Sequence, residues 1–237
     1  MHGLLILFPF IISFFASEQK LEQKILVFSK TEKFRHNSIP AAKLAILKLG
    51  IDNHFKVDTT ENADLFNEAS LKKYASVVFL HTTGNVLNEK QESAFKKFIQ
   101  AGGGYAGIHA AADTEYDWEW YGKLAGAYFE NHPEIQTATL NIIVNSHIST
   151  LHLPAQWNRK DEWYNFKNLN PDVKVLMTID ETSYTGGTMN NNHPMAWYHE
   201  YDGGRSFYTA LGHTEESWSD PLFLDHVLGG IKYAMGE

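Results

Sequence analysis

Five of the twelve histidines, His36, His109, His132, His193 and His213, fall in glycine- or proline-marked loops that follow runs readable as β-strands. Imidazole titrates near neutrality and, in its neutral form, ligates metals. A single histidine in such a loop is usually a structural donor, but the carboxyl ends of neighbouring parallel strands share one edge, so five such loops converge. Three chemistries compete for the cluster. Acid–base catalysis needs a carboxylate to orient an imidazole or carry the second proton, and Asp113 and Glu162 are the candidates. A metal site would use neutral imidazoles with Glu162, yet the chain has no HxH or HExxH spacing, so the sequence assigns neither metal ligands nor a cofactor. Covalent catalysis is the weakest of the three, because Ala110 and Ala111 offer no hydroxyl beside His109 and Ser146 and Ser149 sit in no motif.

His109 has the most distinctive setting. In Gly102-Gly103-Gly104-Tyr105-Ala106-Gly107-Ile108-His109-Ala110-Ala111-Ala112-Asp113 a short apolar run meets a turn whose flanking residues are all small. Small side chains two positions either side of a key residue let the backbone turn sharply between strand and helix, as in a nucleophile elbow. Here the elbow presents an imidazole. This reading makes His109, Asp113 and His213 the catalytic group and places Arg35, His36, Glu162, Trp163 and His193 around the substrate. Arg35 either clamps an oxygen-rich ligand or makes a surface ion pair. Glu162, within Asp161-Glu162-Trp163-Tyr164, either accepts hydroxyls beside an aromatic platform or serves as a helix-start carboxylate.

The elements that must position these residues read as an α/β protein. Lys24–Ser29, His54–Thr59, Ser76–His81 and Tyr105–Ile108 are short apolar or β-branched runs suited to a parallel sheet buried on both faces. Between them, Ser38 is placed to cap a helix ending at Gly50, and Asn88 with Gln91 three residues on predicts a capping box for a helix that stops at Gly102. The alternation predicts a doubly wound, mainly parallel, flavodoxin-like sheet with added antiparallel strands. The later runs Gln136–Val144, Val173–Ile179, His193–Tyr198 and Arg205–Leu211 also read as strands, the last two joined by a hairpin turn at Gly203-Gly204. Trp118–Leu124 reads as a short helix, Gly126–Pro133 as an irregular loop, and Asp220-Pro221 as the cap and first turn of a closing helix.

Composition narrows the classes further. A chain of 237 residues with a formal charge of −8 and no long basic run has the size of one domain and no electrostatic footprint for nucleic acid. The absence of cysteine removes disulfides, thiolate metal sites and any cysteine nucleophile. The apolar run Leu4–Ala16 is too short to span a bilayer and fits the core of a signal peptide over residues 1–17, which implies a periplasmic or secreted protein with no stable membrane insertion after cleavage. A homo-oligomer is compatible with this reading.

Five segments together resemble the ThuA-like (trehalose utilisation) family, whose fold is that of the class I glutamine amidotransferases. They are Thr31–Ile39, Gly102–Asp113, Asp161–Tyr164, His193–Trp197 and Gly204–Thr214, within a domain over 24–236. The resemblance implies that His109 stands where amidotransferases carry their cysteine, so glutaminase activity should be absent. It also implies a bacterial, carbohydrate-processing protein that takes a small-molecule carbohydrate, trehalose-like disaccharides or their 3-oxo forms; the resemblance gives no mechanism, and the histidine-centred acid–base chemistry is read from the residues themselves. A non-catalytic sugar-binding protein and a divalent-metal-dependent sugar enzyme are the alternatives. Lys33 departs from the family pattern, in which a small residue is expected at the pocket rim.

Overall fold

The apolar run that follows Lys24 has side chains on both faces of its strand, so it must lie between two layers, and it does. The computed structural model describes residues 23–237, and the segment read as a signal peptide lies outside the described residues. The first half comprises β1 (Lys24–Phe28), α1 (Ile39–Asp52), β2 (Lys56–Thr60), the one-turn α2 (Glu68–Leu71), β3 (Ser76–Leu80), α3 (Glu89–Gln100) and β4 (Gly104–Ile108). The second comprises α4 (Glu119–Ala125), β5 (Tyr128–Asn131), β6 (Gln136–Ile142), β7 (Gln156–Asp161), β8 (Asn165–Lys167), β9 (Lys174–Ile179), β10 (Pro194–Tyr201), β11 (Gly204–Thr209) and α5 (Pro221–Met235).

Nine strands form a mixed sheet in the order β2-β1-β3-β4-β11-β10-β9-β6-β7. The first five are mutually parallel, and the pairs from β11 onward are antiparallel. From β1 the chain steps outward to β2 and then returns to β3 on the other side, which leaves a crevice at the carboxyl ends of β1 and β3. Successive residues of a strand face opposite layers, and β4 makes this visible. Gly104 lies against the Ala234 backbone of α5, whereas Tyr105 packs near Phe95 of α3 and Tyr121 of α4. Among the described residues, no helix is long and apolar enough to cross a membrane.

Local chemistry explains most boundaries. Asn88 accepts the backbone N–H of Lys90 and Gln91, and Gln91 returns a bond to the Asn88 N–H, which completes the capping box of α3. Asp220 caps α5 through the Leu222 N–H, ahead of Pro221 in the first turn. Four expectations are corrected. Helix α1 runs past Gly50 to Asp52, because Gly50 is a packing glycine whose missing side chain admits Val57 and Phe55. Ser38 makes no side-chain cap bond. The loop expected at Gly126–Pro133 contains β5, paired antiparallel with β8. The β10–β11 hairpin turns on Asp202 and Gly203, both at positive φ (48° and 95°), one residue earlier than expected.

Two consequences are measurable. A methyl group at Gly104 would run into the Ala234 carbonyl of α5, which is backbone and cannot swing aside. Gly104→Ala is therefore expected to destabilise the fold by about 3 kcal/mol in urea unfolding. On α5, His226 is fully buried beside the Ser149 carbonyl, and burial pushes its pKa down from 6.5 to about 3. Between those values the unfolded chain binds a proton that the folded chain refuses, so stability falls as pH drops below about 6.5. Unfolding titrations near pH 5 should show that His226→Gln reduces the pH slope of stability by about 1.4 kcal/mol per pH unit; an unchanged slope would contradict a neutral, buried His226.

Candidate functional site

Four neighbouring parallel strands each deliver one histidine to the same edge. His36 lies in the loop after β1, His81 directly follows β3, His109 directly follows β4, and His213 lies just beyond β11. His81 and His109 both sit in the left-handed backbone region, with φ of 51° and 50°, which a residue with a Cβ adopts only when its surroundings force it. Part of that force is visible, since Tyr208 donates its hydroxyl to the His109 carbonyl at 2.7 Å. The histidines of β1 and β3 stack across the crevice with ring centroids 4.9 Å apart.

Glu162 follows β7, which lies at the far edge of the sheet. It reaches the cluster because Asp161, fully buried beside it, accepts the backbone N–H groups of Gly212 (2.9 Å), His213 (3.1 Å) and Glu162 itself (3.0 Å). Arg159 balances that carboxylate at 3.1 Å and also reaches Ser217 and Asp220.

The Nδ1 atom of His109 lies 2.6 Å from the Ala210 carbonyl and must donate to it. In a neutral ring the Nε2 atom then carries a lone pair, which faces His213 Nδ1 at 3.1 Å and Glu162 Oε2 at 3.3 Å. His213 Nδ1 is itself 3.1 Å from the same carboxylate oxygen, and the other oxygen meets His132 Nδ1 at 3.2 Å. One donor atom from each of His36, His109, Glu162 and His213 lies within 4.8 Å of every other. Burial would raise the Glu162 carboxyl, but hydrogen bonds and charge from His109 and His213 outweigh it and hold Glu162 well below the usual range. His36 is pushed down to about 2, first by burial and then by repulsion from His109 and His213, so it is a neutral imidazole at pH 7. Tyr164 closes one side, its ring 4.2 Å from that of His109. The cluster can therefore either hold a divalent cation or share a proton.

Of the residues singled out in the sequence, the fold brings together His36, His109, Glu162 and His213, with His132 at the exposed rim. Asp113 lies to one side, its carboxylate accepting the Tyr116 hydroxyl at 2.7 Å, and burial raises its pKa. His193 is buried elsewhere, between Glu181 (3.0 Å) and the Tyr164 carbonyl (2.7 Å), so it supports Tyr164 from behind. Arg35 forms an exposed two-pronged pair with Glu61, and Trp163 is fully buried with no face free for a sugar. Three functional residues escaped sequence reasoning. Tyr164 and Asp161 stood in a motif of which only Glu162 and Trp163 were chosen. His81 ends an apolar strand as His109 does, which was the signal available for it. It is fully buried, and neither ring nitrogen has a hydrogen-bond partner.

Because Asp161 neutralises Arg159 and pins the His213 loop, Asp161→Ala leaves a buried guanidinium whose remaining carboxylate contact is the longer one to Asp220 at 3.4 Å, and three N–H groups without their acceptor. The variant is expected to lose about 3–5 kcal/mol in urea unfolding.

The fold has counterparts among solved structures. A ThuA-like protein from Bacteroides uniformis ATCC 8492 superposes with a TM-score of 0.75 at 22% identity, covering 94% of this chain and 95% of its own. A ThuA-like protein from Parabacteroides merdae ATCC 43184 gives 0.75 at 19% identity, with 91% and 90% covered. A β-galactosidase from Bacillus circulans shares the fold over 90% of this chain but only 31% of its own, with a TM-score of 0.59 at 13% identity. No curated protein matches the chain by sequence. The family model for ThuA, described as trehalose utilisation, matches residues 24–234, which contain every residue of the cluster. The chain belongs to the ThuA family.

Proposed function

We propose that the cluster of His36, His109, Glu162 and His213 is a divalent-metal centre at which the chain transforms a trehalose-like disaccharide or its 3-oxo derivative. The observation that carries the metal reading is the lone pair of His109 Nε2 facing the Glu162 carboxylate at 3.3 Å, with His213 Nδ1 3.1 Å from both atoms. Acceptors so placed need a proton or a metal cation among them, and a divalent ion satisfies all of them at once. In a tetrahedral site with bonds of about 2.0–2.2 Å, donor atoms stand roughly 3.3–3.6 Å apart, close to the 3.1–3.3 Å separations among His109, Glu162 and His213, with the His36 donor within 4.8 Å of all three. The bond from His109 Nδ1 to the Ala210 carbonyl is also the usual outer support of a metal-bound imidazole, since it fixes the tautomer that frees Nε2. The neutral His36 and the anionic Glu162 are in the protonation states that ligation requires.

Family membership supports the carbohydrate class, and trehalose or its 3-oxo form is the finer reading. When bound, a divalent ion would polarise a sugar carbonyl or hydroxyl oxygen. The chain's own residues would do the rest. Tyr164 bounds the site over His109, Glu162 holds the negative charge, and His132 touches that carboxylate from the exposed side. With no cysteine anywhere in the chain, the glutamine-hydrolysing chemistry of this fold lacks its nucleophile.

Proton NMR of the protein with trehalose, related disaccharides and their 3-oxo derivatives, run beside metal analysis of protein purified without chelator, tests both parts. The expected result is about one divalent ion per chain, a new product signal that chelator abolishes and added metal restores, and loss of both ion and product in Glu162→Gln. Full turnover in chelator would replace the metal with proton transfer by His109. Saturable sugar binding without product would make the chain a binding protein.

A further inference from the structure

We infer that Phe34 and Ile135 form a stacking platform for one ring of a disaccharide whose other ring lies at the histidine–glutamate cluster. The inference rests on the carbohydrate reading above and adds the substrate's size and the residues that select it. Phe34 is 64% exposed and Ile135 39%, and they border a groove of about 300 Å³ whose wall includes His213, the least buried member of the four-donor set. Scattered surface apolar residues need no explanation. Two that meet at one groove, on the rim of a buried polar cluster, do.

The loop that carries Phe34 is fixed. The Phe34 carbonyl accepts the Thr83 hydroxyl at 2.9 Å, and the Glu32 N–H donates to the Thr83 carbonyl at 2.8 Å. The Phe34 ring packs against that of His36 at 4.8 Å and 86°, so platform and cluster move as one unit. Holding an aromatic ring exposed on a pinned loop lowers the ordering cost of binding.

A pyranose ring fits this surface chemically. Its faces present C–H groups with slight positive charge, which an aromatic face attracts, and its edge presents hydroxyls. Around the two apolar residues stand Asn37, Thr214, Glu215 and Glu216, all able to bond hydroxyls. The two glutamates disfavour an anionic sugar. The volume is at the lower limit of ligand sites, room for one ring, so the groove takes one ring of a disaccharide and directs the other toward His213, the least buried member of the four-donor set.

The test is titration calorimetry of the wild type, Phe34→Ala and Phe34→Trp with trehalose, 3-oxo-trehalose, glucose and 3-oxo-glucose, with metal content measured on each protein. Phe34→Ala is expected to weaken disaccharide binding about tenfold while monosaccharide binding changes less than about twofold, and Phe34→Trp should recover most of the loss. Metal content should match the wild type in both variants. Equal weakening for both sugar sizes, or no weakening, overturns the platform while leaving the carbohydrate reading intact. A wild-type protein that binds none of the four sugars overturns the carbohydrate reading and the platform with it.

Discussion

Everything at the site depends on one carboxylate that does no chemistry. The parallel half of the sheet delivers four histidines to one edge, but it has no acid to place among them; the acid comes from β7, at the other end of the nine-stranded order. Asp161 closes that gap by taking two backbone N–H groups from the loop after β11 and one from Glu162. Buried and paired with Arg159, it sits where a backbone bond to a charged acceptor is strongest, and where losing either partner is most costly. The next residue in sequence, Glu162, then has little choice of position. The antiparallel strands thus bring a single carboxylate into a cluster built by the parallel ones.

This division explains what could be read in the chain. The parallel half was legible because buried strands are apolar on both faces and because caps such as Asn88 with Gln91 have local signatures. The elbow at His109 was legible for the same reason, since the required left-handed turn selects small neighbours. Strand β7 was not legible. Its inward side chains are Trp157, Arg159 and Asp161, so the buried face carries an ion pair and the apolar alternation that betrays a strand is missing. The same problem hid the donor set. Linear spacing finds metal ligands only when two share a helix or a turn, whereas these four come from the ends of β1, β4, β7 and β11.

The residues that did not join the cluster failed for physical reasons of equal generality. Arg35 and His36 are adjacent, and adjacent residues in an extended loop point opposite ways; His36 turns in, so Arg35 turns out, to Glu61. Trp163 and Tyr164 divide similarly, the indole entering the core and donating to the Gln136 carbonyl while the phenol ring lies over His109. His193, apart from the site, still serves it by holding the Tyr164 carbonyl in place.

Charge is the physical basis of the proposed metal reading. Three imidazoles and one carboxylate carry a single negative charge when the rings are neutral, and the cluster is largely withdrawn from water, where each charge is felt more strongly. Further protons would place positive charges on rings that stand about 5 Å apart, and the lowering of His36, caused first by burial, includes that repulsion as its second contribution. A divalent ion meets the same lone pairs without protonating any ring and leaves one net positive charge at the crevice. On the proposed reading that charge would lie beside the Phe34 groove, whose rim supplies Glu215 and Glu216, so a neutral, hydroxyl-rich ring would suit both ends of the site.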